Sequence, residues 1–143
     1  MYPTVDLKKP YANDDAVLAL AVELALHSAE LKGGPFGAVI TDAARKIVSV
    51  GVNAVVASQD STSHAEINAI RQAHKVTGTY NLKEHRLYTS CAPCILCFGA
   101  IYWSGIQEVM AAAHVAQAQQ QMGATHVHRD PAHDKCRYRL QVH

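Results

Sequence analysis

An excess of either charge is missing from this 143-residue chain: 13 Lys and Arg stand against 12 Asp and Glu, a formal net charge of +1. No strong field gathers nucleic acid or an anionic membrane, so a polynucleotide is not the expected substrate. Long apolar runs are missing too. None approaches the roughly twenty residues that cross a bilayer, and the polar start with Asp6, Lys8 and Lys9 is not a signal peptide. The expectation is a cytoplasmic protein with no membrane association. Internal repeats and low-complexity tracts are absent. Cysteine is scarce, four in all, and three of the four fall within residues 91–97. That crowding excludes a disulfide framework and points to metal chemistry in a reducing compartment.

What is present is 49% hydrophobic residues, enough for one substantial core. Residues 1–143 read as a single domain with an irregular arm over 1–12 and a tail over 129–143. Asn13-Asp14-Asp15 supplies a cap and first-turn acids for a helix over Ala16–Leu31, ended by Gly33-Gly34. Residues 35–41 and 47–56 read as a strand pair turning at Asp42–Arg45, a hairpin. Gly51 interrupts the second strand and marks a bulge or a close backbone approach. A helix over His64–Lys75 carries the stripe Ile67, Ile70, Ala73. From Leu87–Thr89 onward strand and helix alternate, with further strands at Gln107–Ala112 and Thr125–His128 and a helix at Val115–Met122 between them. That alternation predicts parallel crossovers, and therefore a parallel fourth and fifth strand.

The densest chemistry lies in Ser90-Cys91-Ala92-Pro93-Cys94-Ile95-Leu96-Cys97. Pro93 suits a first helical position, so a helix is expected to start there and run to Ser104-Gly105. Cys94 and Cys97, three apart, then share one face of its first turn, where the dipole and free N–H groups stabilise thiolates. Upstream, His64 offers a neutral third ligand. Two thiolates and an imidazole neutralise a zinc ion and leave the fourth tetrahedral position to water, which separates catalytic from structural zinc. Glu66, two residues beyond His64, is the candidate proton carrier between that water and a leaving group. Plainer readings exist for each piece. Ser63-His64-Ala65-Glu66 is also a capping box, and a lone Cys-x-x-Cys is as often a redox pair. Cys91 with Cys94, Cys97 and His64 makes a closed, non-catalytic zinc module the third. Neither a cap nor a redox pair accounts for the whole set. Asn53 offers the donor and acceptor that reading a base edge needs, or else makes a local turn.

His-x-Glu followed by Pro-Cys-x-x-Cys is the signature of zinc-dependent base deaminases. The chain resembles the cytidine deaminase superfamily, in the branch of guanine deaminases and tRNA adenosine deaminases, and bacterial guanine deaminases most. The likeness runs from about Gly34 to Ala113. It passes through Gly34-Pro35-Phe36-Gly37-Ala38-Val39-Ile40, Gly51-Val52-Asn53, His64-Ala65-Glu66, Pro93-Cys94-Ile95-Leu96-Cys97 and Gly99-Ala100-Ile101-Tyr102-Trp103. The resemblance implies an α/β fold in three layers, a five-stranded mixed sheet between helices, assembled as a homodimer or higher homo-oligomer. It implies Zn2+ on His64, Cys94 and Cys97, Glu66 as proton shuttle, and Asn53, Phe36, Ala65 and Trp103 as substrate contacts. The reaction implied is hydrolytic deamination of a small nucleobase, guanine or a related aminopurine, aminopyrimidine or triazine, releasing ammonia. Cytosine or isocytosine deamination is one alternative. tRNA adenosine deamination, served by the basic cluster Arg129, Lys135, Arg137 and Arg139, is another. The chain departs from the family pattern at Ala92, usually Glu, at Ser63, usually Ala, and in having no acid between Gly123 and Asp130. These departures leave the ligands intact and bear on which base is accepted.

Overall fold

The computed structural model describes residues 5–113, and 136–139 by their backbone. Helix α1 (Asp14–Glu30) begins at the expected cap: the Ala16 N–H donates to Asn13 Oδ1 at 2.9 Å, and Asp14 and Asp15 fill the first turn. Strands β1 (Gly37–Thr41) and β2 (Ile47–Val52) form the expected antiparallel hairpin. The second strand stops four residues early. Asn53 accepts the Val55 N–H on its side chain and bends the chain, so Val55–Ser58 becomes the short helix α2. Helix α3 (Ala65–Thr77), strand β3 (Arg86–Cys91), helix α4 (Ile95–Ser104) and strand β4 (Glu108–Ala113) follow.

Four strands lie in the continuous described stretch, and the backbone of β5 (Cys136–Arg139) adds a fifth, in the order β2-β1-β3-β4-β5. The sheet is mixed, and its parallel pair is β3 with β4, joined through α4. The strand beside β4 is β5, which runs antiparallel to it with Glu108 opposite Arg139, where a parallel fourth and fifth strand was expected; the segment expected to form that fifth strand, 125–128, lies outside the described residues. Parallel pairing follows from a single helical crossover, and β3-α4-β4 supplies it. The edge strand instead comes from residues 136–139, within the expected tail. The helix at 115–122 and strand at 125–128 lie outside the described residues.

Alternation along the strands divides the core in two. On one face α1 packs Val17, Ala21 and Leu24 against Val39, Ile47, Tyr88 and Met110. On the other, α3 and α4 pack Ala69, Ile70 and Ile101 against Ala38, Ile40, Leu87, Val109 and Ala111. Two glycines set the depth of those layers. A Cβ on Gly37 would strike the α1 backbone at Ala21 and Ala25, and one on Gly51 the α3 backbone at Ala65 and Ala69. Gly51 thus marks a close backbone approach; the register shift of the hairpin falls elsewhere, between Ile40 and Thr41. Ser49 Oγ donates to the Ala69 carbonyl at 2.8 Å, and Asn68 Nδ2 to the Val52 carbonyl at 2.9 Å. Those bonds fix the start of α3 over the end of β2. No helix among the described residues is long and apolar enough to cross a membrane.

Candidate active site

Both ligand-bearing helices present their first turns to the same place. His64 is the N-cap of α3, held extended at φ −75° and ψ 158°, and its side chain makes no capping bond. Its imidazole turns outward instead, with Nδ1 at 3.5 Å from Cys94 Sγ and 3.5 Å from Cys97 Sγ. Helix α4 starts at Ile95, two residues later than Pro93 implied, so Cys94 is its N-cap at φ −75° and ψ 173°. An extended N-cap folds its side chain over the third helical residue, which here is Cys97. The two sulfurs meet by capping geometry, and the expected helical face is not needed.

The ligand atoms of His64, Cys94 and Cys97 all lie within 4.8 Å of one another. A tetrahedral zinc with Zn–N of about 2.0–2.1 Å and Zn–S of about 2.3 Å separates its nitrogen and sulfur ligands by about 3.6 Å. The 3.5 Å spacings fit that ion. His64, Cys94 and Cys97 are thus positioned to bind zinc, and among the described residues no fourth ligand joins them. Cys91 ends β3 and is not a member of the cluster, so the closed four-ligand site is not formed.

Glu66 is buried in the first turn of α3, 6% exposed. Its Oε1 accepts from Thr89 Oγ1 at 3.2 Å and its Oε2 accepts from Cys97 Sγ at 3.3 Å. The capping box is corrected by the same geometry. Glu66 is the second helical residue and not the third, while Ser63 Oγ pairs with Asn68, 3.1 Å from Nδ2. Burial raises the Glu66 carboxyl above its ordinary range, against the lowering effect of its own helix N–H and of Cys97. Cys94 moves the other way, to about 5, because the Cys97 thiol donates to it, with the Cys97 N–H and His64 adding to the effect. Cys97 is held up by the Cys94 sulfur, by burial and by Glu66.

The remaining candidates divide. The Asn53 N–H donates to the Phe36 carbonyl at 3.2 Å, which joins those two residues at the end of the hairpin. Asn53 Oδ1 makes the local bond to Val55, and its Nδ2 donates to nothing among the described residues. Gly34 presses on that carboxamide so closely that a Cβ there would displace it. Phe36 is half-buried against the α3/α4 core, and Ala65 is buried between the ligand and Glu66. Trp103 stands apart, 83% exposed in the last turn of α4 and edge-on to Tyr102 at 5.8 Å. Two further residues join the site without a motif to mark them. Thr89 touches Glu66, and Ser28 of α1 donates to the Gly34 carbonyl at 2.9 Å behind Asn53. Strand parity holds a signal for Thr89, since it shares a face with Leu87 and Cys91.

An α/β sheet covered by helices on both faces, with a three-residue zinc-ligand cluster beside a buried carboxylate, fits a zinc-dependent hydrolase. Residues 11–113 match the family described as the cytidine and deoxycytidylate deaminase zinc-binding region, and the chain belongs to that family of hydrolytic deaminases. It is 48% identical over 108 residues to guanine deaminase of Bacillus subtilis, covering 74% of this chain and 68% of that protein. The solved structure of that Bacillus enzyme superposes with a TM-score of 0.74 at 45% identity, covering 77% of this chain and 70% of that one. A tRNA-specific adenosine deaminase of Haemophilus influenzae is 38% identical over 100 residues, covering 70% of this chain and 58% of that protein.

Proposed function

We propose that the chain deaminates a small nucleobase hydrolytically, guanine or a close aminopurine, aminopyrimidine or triazine relative, and releases ammonia. The observation that carries this is Glu66: a buried carboxylate with one oxygen against a zinc-ligand sulfur, on the helix that the histidine ligand caps. His64, Cys94 and Cys97 would hold the zinc, which when bound would supply Lewis-acid activation of water, bringing its pKa towards about 7. Glu66 Oε2 would take one proton from the water and give it to the ring nitrogen as the water oxygen bonds to the amine-bearing carbon; it would then take the second proton, from the added hydroxyl, and pass it to the amine, so that the C–N bond breaks, ammonia leaves and a carbonyl remains. Burial favours its protonated form, which suits a group that must hold a proton between those steps. Asn53 Nδ2 and the Phe36 ring receive the base, with Ala65 on the α3 side. The half-buried, mostly apolar setting suits a flat uncharged heterocycle.

Guanine leads because of the likeness to the Bacillus enzyme. Cytosine and isocytosine follow on the same chemistry. A tRNA substrate has the Haemophilus likeness behind it but demands phosphate contacts, and a net charge of +1 gives it little field. The same reading takes residues 1–143 as one domain working in the cytoplasm, where reducing conditions keep both thiolates available, and assembled as a homo-oligomer. The test is ammonia release from a panel of guanine, cytosine, isocytosine, adenine and their nucleosides by zinc-loaded protein. Turnover of one free base supports the reading. Silence towards every base, with a salt-dependent shift of tRNA in a gel, replaces it with the tRNA reading.

A further inference from the structure

Asn53 and His64 come from different elements, yet the backbone beside each is joined to the other. The Val52 carbonyl, one residue before Asn53, accepts from Asn68 Nδ2 at 2.9 Å. The Ala54 N–H, one residue after it, donates at 2.9 Å to the carbonyl of Ser63, the residue before His64. Asn68 stands one turn along α3 from that ligand, with its N–H on the His64 carbonyl at 2.9 Å. One carboxamide therefore reaches the end of β2 from the helix that His64 caps. The two elements come this close because Gly51 has no Cβ to strike Ala65 and Ala69. The Asn53 carbonyl is held in turn by Ser28 Oγ of α1 at 3.4 Å, and its N–H by the Phe36 carbonyl. Both peptide units flanking the Asn53 side chain are thus anchored.

The contacts at residue 68 call for an amide. Its nitrogen carries two hydrogens: one goes to the Val52 carbonyl, and the second lies between Ser63 Oγ at 3.1 Å and the Ser63 carbonyl at 3.4 Å. The Ser63 hydroxyl donates back to Asn68 Oδ1 at 3.2 Å. Turned round, the carboxamide would put its oxygen against two carbonyls, so its neighbours accept one orientation. Ser63, buried at a position where the family pattern has alanine, gives Asn68 that hydroxyl partner. We propose that Asn68 is a positioning residue, setting the distance between the base that Asn53 receives and the metal that His64 would help to hold. This role rests on the reading of Asn53 as the group that receives the base. The reacting carbon has to lie within about 3–3.5 Å of the attacking oxygen, and a misplacement of about 1 Å costs about 10²-fold in rate. Asn68 reaches both residues through backbone alone, by the carbonyls of Val52, Ser63 and His64.

Asn68→Asp keeps the shape of the side chain and, at about pH 8, replaces the donor with an ionised oxygen facing the Val52 carbonyl. Zinc-loaded proteins are compared at equal metal content by amide exchange at Ala54, which needs no turnover, and by kcat for the base that the ammonia panel identifies. Exchange at Ala54 should quicken about tenfold, and kcat should fall about 10²-fold. Ser63→Ala removes the hydroxyl and keeps the carbonyl, so it should fall between wild type and Asn68→Asp; a larger loss than that of Asn68→Asp moves the role to Ser63 and overturns the assignment. In an Asn53→Ala background Asn68→Asp should cost nothing further, in kcat or, where turnover is too slow to follow, in base affinity by calorimetry. A full second loss there overturns the proposal. So does a lowered melting temperature with kcat per zinc unchanged, which makes Asn68 a packing residue only. Unchanged exchange at Ala54 in Asn68→Asp overturns the tie itself, whatever the substrate. A wild-type chain that turns over no base refutes the deamination reading and the positioning role with it, while quickened exchange would still establish the tie.

Discussion

On the α1 side of the sheet, Val17, Ala21 and Leu24 are sealed against Val39 and Met110, and Tyr88 Oη donates to Asp14 Oδ1 at 2.9 Å in a part-buried contact at their edge. On the α3/α4 side, the apolar core is just as well covered but ends in two N-caps, three metal ligands and a buried carboxylate. The difference lies in what each helix does with its first turn. Helix α1 closes its N-terminus with the Asn13 side chain. Helix α3 makes no side-chain capping bond, and the cap positions of α3 and α4 carry His64 and Cys94, the latter with the Cys97 N–H on its sulfur. A capping bond worth about 1 kcal/mol is kept at α1 and forgone at α3, where the cap residue is a candidate metal ligand.

Substitutions on the working face should remove chemistry with the fold intact. Glu66→Gln keeps a neutral side chain of the same shape, so zinc should stay bound while kcat falls by about 10²–10⁴; zinc content and ammonia release measure the two separately. Cys97→Ser should lower zinc content and activity together, read by metal analysis after dialysis. On the supporting face the order reverses. Leu24→Ala leaves a cavity in a fully buried position and should cost about 2–5 kcal/mol in urea unfolding, with zinc stoichiometry unchanged. A Leu24→Ala protein that lost zinc at full stability would break the division between the faces.

Tyr88→Phe should cost about 1 kcal/mol. Burial, with Asp14 beside it, lifts the Tyr88 hydroxyl to about 12 from 10.0, so its contribution is complete below the ordinary value and drains as pH rises towards the raised one. The variant should therefore close most of its stability gap with wild type in strong alkali. Cys94 has the opposite sign. A thiol lowered to about 5 from 9.0 stabilises the metal-free fold fully above the ordinary value and loses that support as pH falls towards 5. In metal-free protein, alkylation of Cys94 should persist down to about pH 5 while Cys97 stays unreactive.

The ligand set is legible in the sequence because chemistry constrains it: two thiols three apart, with a histidine and a glutamate two apart, are a combination that little besides a metal site brings together. The caps are less legible. Pro93 fits either the first helical residue or the position before the cap, and the choice decides whether Cys94 is inside α4 or at its edge. Ser63 and Glu66 carry a capping-box spacing that the fold does not use, since placing Asn68 under β2 occupies Ser63 and turns Glu66 inward. Thr89 reads as an ordinary strand residue until α3 is laid across it. The direction of β5 depends on pairing at a sheet edge, which local periodicity does not encode.

The most direct test of Glu66 as the proton carrier is ammonia release from guanine by the zinc-loaded chain, with Glu66→Gln at equal zinc content as the blank. Turnover in the wild type should disappear in the variant. Near-normal turnover in Glu66→Gln would contradict the assignment, because a carboxylate against a zinc-ligand sulfur would then have no part in moving the proton.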